Sequence, residues 1–124
     1  MIVDSDVLID ASRGDDAIVE FLIQSGNLET LYVSVISYLE LQAGARDKIE
    51  LRRIEKFLSR FALLTIDDAI SRHAMKLMRE YRLSNGLALP DALIAATALE
   101  SGEILATRNA KHFGRINGIR TVSP

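Results

Sequence analysis

Cysteine is absent from all 124 residues, which excludes disulfides, thiolate zinc sites and thiol catalysis. Only two histidines, His73 and His112, are available for softer metals or for acid–base work. Long hydrophobic runs are missing: the longest mostly apolar stretch, Ala92 to Leu99, is far too short to span a bilayer. Met1-Ile2-Val3-Asp4 reaches a carboxylate too early for a secretory h-region. A soluble, cytoplasmic protein with no membrane attachment is expected. No Gly-rich phosphate loop and no G-x-S-x-G context for a serine nucleophile occurs. Internal repeats, linkers and low-complexity segments are also lacking.

What the chain does have is apolar content, 48% of its residues. A chain of this size buries roughly two-thirds of its unfolded surface, so residues 1–124 are expected to form a single domain. The net charge of −2 speaks weakly against nucleic-acid binding, but its distribution is uneven. Residues 1–47 carry nine Asp/Glu against Arg13 and Arg46, whereas residues 48–124 carry thirteen Lys/Arg against eight Asp/Glu. From Ile104 to Pro124 there are four cations (Arg108, Lys111, Arg115, Arg120) and no acid. Acids to hold a metal and bases to hold phosphate would produce such a split; solvated helix faces would produce it too.

Short apolar runs alternate with amphipathic segments. Strands are predicted at Ile2-Val3, Leu31–Val35, Ala62–Ile66, Ile104–Ala106 and Ile119–Val122. Between them fall a helix over Val7–Ala11, one capped by Asp15 or Asp16 and stopped at Gly26-Asn27, and one opened by Ser37. A charged helix over about Asp47–Phe57 follows, then a long amphipathic helix capped by Asp67 or Asp68. A nearly all-apolar helix starts at Pro90 and ends at Gly102, and Asn109–Phe113 forms a helical turn. Strands apolar on both faces and alternating with helices predict an α/β fold, with a central parallel sheet covered on both sides.

Ligands of open parallel sheets bind beyond the carboxyl ends of the strands. Asp4, Ser5 and Asp6 follow the first strand there, and Thr107, Arg108 and Asn109 follow the fourth. Glu40 lies a few residues past the second strand, and Asp91 opens the most apolar helix. Asp91 in a first helical turn favours the helix dipole, yet at a buried helix end it also needs a partner or a cation. Ser37-Tyr38-Leu39-Glu40 fits a capping box, which would occupy Glu40 structurally. Asp6 is suited to N-cap the first helix, while Asp4 has no comparable local task. Several carboxylates in one pocket repel by about 3 kcal/mol per pair at ~5 Å and an effective dielectric of about 20. A hard cation with oxygen ligands, Mg²⁺ or Mn²⁺, relieves that repulsion and supports phosphodiester hydrolysis. His73 falls on an apolar helix face and is expected to be packed, His112 to lie at the surface of the basic tail. The tail cations Arg108, Lys111 and Arg115 are candidates for phosphate contact.

Four segments carry a resemblance in register. They are Asp4-Ser5-Asp6-Val7-Leu8-Ile9, Val33–Leu41, Leu89–Ala98 and Leu105–Phe113. Together they resemble the PIN-domain ribonucleases, and among those the VapC-type toxins of bacterial and archaeal toxin–antitoxin pairs, over essentially the whole chain. The resemblance implies a three-layer α/β/α fold and Mg²⁺- or Mn²⁺-dependent endoribonuclease activity on RNA. It also implies homodimerisation and a VapB-type antitoxin that occupies the active-site groove. Position by position, Asp4, Glu40 and Asp91 match the family's acidic metal ligands, with Ser5 and Thr107 as polar neighbours. The fourth acidic position falls on Asn109, whose neutral carbonyl is a weaker Mg²⁺ ligand than a carboxylate. Asp6 stands close enough in sequence to take part in its place.

Two other readings fit parts of the pattern. Asp4-x-Asp6 resembles the D-x-D of haloacid-dehalogenase-type phosphatases, but that fold needs a longer chain and a later acidic pair, and Asp67-Asp68 opens an amphipathic helix. With Asn109 in place of an acid, the domain is also compatible with a non-catalytic PIN-like module that binds RNA or a partner.

Overall fold

The computed structural model describes residues 1–124. Its first strand, β1 (Ile2–Val3), is only two residues long and fully buried. It runs into α1 (Ser5–Ser12) and α2 (Asp16–Leu28), followed by β2 (Tyr32–Ser34), α3 (Val35–Ala43), α4 (Lys48–Leu58) and β3 (Ala62–Leu64). The second half holds α5 (Asp68–Asn85), α6 (Leu89–Ser101), β4 (Leu105–Ala106), α7 (Ala110–Phe113) and β5 (Thr121–Val122). All five strands form one parallel sheet in the order β3-β2-β1-β4-β5.

Adjacent strand residues face opposite sides of a sheet, and β1 shows the consequence. Ile2 belongs to one apolar cluster, with Ile70, Ala74 and Leu77 of α5 and the apolar face of α6. Val3 belongs to the other, with Val7, Leu8 and Ala11 of α1, Ile18 and Leu22 of α2, and Leu58 of α4. Helices therefore cover both faces, giving the expected three-layer α/β/α fold. The path from β1 moves outward through β2 to β3, then returns past β1 to β4 and β5. The order reverses beside β1, which places the ligand crevice of such a sheet at the carboxyl ends of β1 and β4.

Several boundaries differ from the sequence expectation. β1 has its expected length, while β2 loses one residue at each end, β3 its last two, β4 its first and β5 its first two. Ser34 ends β2 and N-caps α3, its Oγ accepting the Ser37 N–H at 3.1 Å, so α3 opens at Val35 and not at Ser37. Gly26 does not stop α2; it lies within the helix, which continues to Leu28. Of the paired candidates, Asp15 rather than Asp16 caps α2 and Asp67 rather than Asp68 caps α5, and Asp47, expected only as the approximate start of its helix, caps α4. Gly102 adopts the left-handed conformation (φ 69°) that ends α6. β3 is an edge strand with Ala62 and Leu63 exposed. His73, expected to be packed, is a quarter exposed, and its Nδ1 lies 2.8 Å from Glu100 Oε1, linking α5 to α6. No helix is long and apolar enough to cross a membrane.

Candidate active site

The crevice beside β1 is built around Asp4. Its backbone N–H donates to the Ala106 carbonyl at 2.9 Å, so the carboxylate sits at the junction of β1 and β4. Asp4 is 6% exposed and is the N-cap of α1, Oδ1 accepting the Ser5 N–H at 2.8 Å. The expectation that Asp6 caps this helix and that Asp4 has no local task is thus corrected. The strand ends after two residues, and the helix begins two residues earlier than the Val7–Ala11 periodicity indicates. Asp6 lies in the first turn, its Oδ1 accepting the Val7 N–H at 2.7 Å.

The other oxygen of Asp4 receives the Thr107 hydroxyl at 2.7 Å. Thr107 follows β4 and is fully buried, and its Oγ1 also accepts the Asn109 N–H at 2.9 Å. Asn109 itself is exposed and makes no side-chain capping bond. The loop after β4 is therefore tied to Asp4 through Thr107, with the Asn109 amide left free at its rim.

Glu40 reaches the same region from α3. Because α3 starts at Val35, Glu40 lies in the helix interior and cannot form the anticipated capping box with Ser37. Its Oε1 instead accepts from the Ser5 hydroxyl at 2.8 Å. Ser5 thereby holds two carboxylates, Asp4 through its N–H and Glu40 through its O–H. Behind it, Ser5 Oγ stands 2.7 Å from Ser37 Oγ, which stands 3.3 Å from Ser34 Oγ. Ser34 and Ser37 are 1% and 0% exposed.

Asp91 comes from the first turn of α6. Its Oδ2 lies 3.5 Å from His112 Nε2 of α7, the two side chains being 30% and 23% exposed. His112 was not anticipated here. The signal available was its place in the helical turn after β4, the same argument that marks Thr107 and Asn109.

These acids feel one another. Burial, above all, pushes Asp4 up to about 6, with the charges of Asp6 and Asp91 adding to the rise and the Thr107 and Ser5 hydrogen bonds opposing it. Asp91 is also raised, first by burial and then by Glu40 and Asp6, against the lowering influence of His112. Asp4, Asp6, Glu40 and Asp91 thus form one acidic group at the crevice. No trio of His, Asp or Glu side chains is spaced to close around a single ion as placed. The donor chemistry nonetheless suits a hard divalent cation: carboxylate oxygens, amide and hydroxyl oxygens, and an excess of negative charge around the buried Asp4.

Of the tail cations, Arg108 is paired with acids of this chain. Its Nε lies 2.9 Å from Asp10 and its Nη2 3.5 Å from Asp15, joining the β4 loop to α1 and α2. Beside Glu40, a groove of about 710 Å³ opens between α1, α3 and α4. Ile9, Leu41, Ile54 and Phe57 supply its apolar lining, and Arg13 and Arg53 are exposed at it.

Residues 1–119 match the PIN domain family. The chain is 40% identical over 114 residues to Ribonuclease VapC10 of Mycobacterium tuberculosis, covering 91% of this chain and 85% of that protein. In structure it resembles a chain of VapBC2 from Rickettsia felis bound to a promoter DNA fragment, with a TM-score of 0.88 at 23% identity over 99% of this chain and 97% of that one. A chain of DNA-bound VapBC from Salmonella typhimurium aligns with a TM-score of 0.81 at 27% identity, over 98% and 96% of the two chains.

Proposed function

The chain belongs to the PIN domain family, and from that premise we propose that it is a VapC-type endoribonuclease, the toxin of a VapBC-type toxin–antitoxin pair. It hydrolyses RNA phosphodiester bonds with Mg²⁺ or Mn²⁺ held by Asp4, Glu40 and Asp91, and Asn109 completes the site. The observation that carries this proposal is Asp4, a carboxylate buried at the β1–β4 crevice amid three further acids. The 40% identical relative is itself a ribonuclease by name.

The metal, when bound, supplies an activated water and neutralises charge on the leaving oxygen. Everything else falls to side chains of this chain. Thr107 and the Ser5 N–H fix both oxygens of Asp4. The Ser5 hydroxyl sets the orientation of Glu40. His112 holds Asp91 from the far side of the crevice. Asn109, exposed at the rim, offers a neutral amide to the RNA or to the ion. The groove beside Glu40 suits an amphipathic antitoxin segment, with an apolar lining for anchors and arginines for polar contacts. Occupying it would bar RNA from the acids. In this proposal the protein works as a homodimer in the cytoplasm, as the family resemblance implies.

The test is incubation of the protein with total RNA in EDTA, Mg²⁺ or Mn²⁺, alongside Asp4→Asn and Asp91→Asn. Discrete fragments that require metal and vanish in both variants are expected. Intact RNA in every lane, with no thermal shift on Mn²⁺ addition, would point to a non-cutting binding module, the reading that Asn109 in place of an acid favours.

A further inference from the structure

The buried serines behind Glu40 have a job that the proposed hydrolysis does not by itself require. Ser34, Ser37 and Ser5 form a continuous row of hydroxyls from the start of α3 to the Glu40 carboxylate, at 3.3, 2.7 and 2.8 Å. Each hydroxyl owns one hydrogen and can accept as well. The carboxylate accepts only, so the Ser5 hydrogen goes to Glu40. Ser37 must then donate to Ser5, and Ser34 to Ser37, while Ser34 accepts the Ser37 N–H at 3.1 Å. Every hydrogen in the row has one direction.

Burial makes that direction binding. Ser34 and Ser37 have no access to water, and no buried side-chain polar atom in the protein lacks a partner. A reversed row would leave the enclosed Ser34 hydrogen without an acceptor and turn the Ser5 oxygen, not its hydrogen, on the exposed Glu40. A hydroxyl at position 37 is otherwise hard to explain: its side chain is enclosed, its helix is already capped by Ser34, and an apolar residue would fill the space without a polar cost.

We propose that Ser37 is a positioning residue for the metal site: the Ser34–Ser37–Ser5 row holds the Ser5 hydroxyl as a donor and thereby keeps the Glu40 carboxylate at the crevice beside Asp4, which the Ser5 N–H also holds. This rests on the metal-dependent reading above. Outer residues that orient a metal ligand commonly change affinity ~10–100-fold when removed.

The experiment is calorimetric titration of Mn²⁺ into the wild type, Ser37→Ala, Ser5→Ala and the double variant, with the urea midpoint of each recorded. A fall of ~10–100-fold in Mn²⁺ affinity is expected for Ser37→Ala. The double variant should bind no more weakly than Ser5→Ala, because Ser37 acts only through Ser5. Wild-type affinity in a folded Ser37→Ala overturns the proposal, as do losses that multiply in the double variant. Should Ser37→Ala prove unstable, Ser37→Cys fills nearly the same space with a weak donor; a reduced affinity supports the proposal and an unchanged one overturns it. A wild type that binds no Mn²⁺ defeats the metal reading itself, and with it the role proposed for Ser37.

Discussion

Thr107 Oγ1 lies 2.7 Å from Asp4 Oδ2, a contact between residues 103 apart in the chain that joins the carboxyl ends of β4 and β1. Parallel pairing of Ile2 with Leu105 and Val3 with Ala106 sets the register that brings them together. Thr107 donates to Asp4 and accepts from Asn109 with the same oxygen, so one buried hydroxyl couples the central acid to the rim of the site.

Thr107→Val keeps the shape and removes both hydrogen bonds. Two partly buried polar groups lose their partner, at about 1–3 kcal/mol of stability, readable as a lower urea midpoint. The Thr107 bond lowers the Asp4 pKa, so its loss moves Asp4 further up. The acid limb of the activity–pH profile should shift to higher pH in the variant. An acid limb that stays in place would mean that Asp4 does not govern it.

The pH dependence of stability carries an unusual sign. Asp4 is raised from 3.8 to about 6, so between those values the folded protein keeps a proton that the unfolded chain releases. Stability contributed by the protonated group is fully present below pH 3.8 and is lost as pH rises through about 6, on the order of 3 kcal/mol at most. The metal-free protein should lose stability across this window relative to Asp4→Asn, which removes the titration. At pH 7 the variant should be no less stable than the wild type. Mn²⁺ should invert the trend, since it binds the ionised acid. Urea melts of both proteins across the window, with and without Mn²⁺, decide it: parallel curves in the absence of metal would sink the claim.

Much of this architecture was legible along the chain, and the failures have local causes. Five strands, a parallel sheet, the capping regions at Asp15-Asp16 and Asp67-Asp68 and the stop at Gly102 follow from short-range patterns that act within one turn. The start of α1 and α3 was misplaced because two candidate caps stand two or three residues apart in each case, Asp4 with Asp6 and Ser34 with Ser37. Only pairing in the sheet decides where the strand stops, and so which residue caps. That shift also freed Glu40 from its expected capping box. His112 beside Asp91 depends on α7 packing near the start of α6. Contacts between elements 21 residues apart leave no trace in periodicity.

The tail cations now divide into two kinds. Arg108 pairs with Asp10 and Asp15 across exposed geometry, a type of contact worth about 0–1 kcal/mol. Arg108→Gln should therefore alter stability by no more than that, and leave the salt dependence of RNA binding nearly unchanged. Lys111 and Arg115 have no ion-pair partner and are exposed. Replacing both with Gln should reduce the slope of log affinity against log salt by roughly 1–2. Binding measured in EDTA by fluorescence anisotropy separates the variants. A slope that falls only with Arg108 would reverse the assignment.

The groove beside Glu40 offers a way to separate inhibition from cutting. Gly44, the C-cap of α3, lines it with φ −80° and ψ −7°, a conformation open to any residue. A Cβ there would meet only the Glu40 and Leu41 carbonyls, both at 3.6 Å, an ordinary contact distance. Gly44→Trp thus adds bulk to the groove without straining the backbone. If the antitoxin inhibits by seating a segment there, the variant should cleave RNA as the wild type does yet need at least ~10-fold more VapB-type antitoxin to be silenced, a loss of about 1.4 kcal/mol. Inhibition titrations on both proteins give the answer. Equal titration curves would mean that the segment docks elsewhere and that the groove serves another purpose. Loss of cleavage with normal folding would show instead that the RNA itself passes over Gly44.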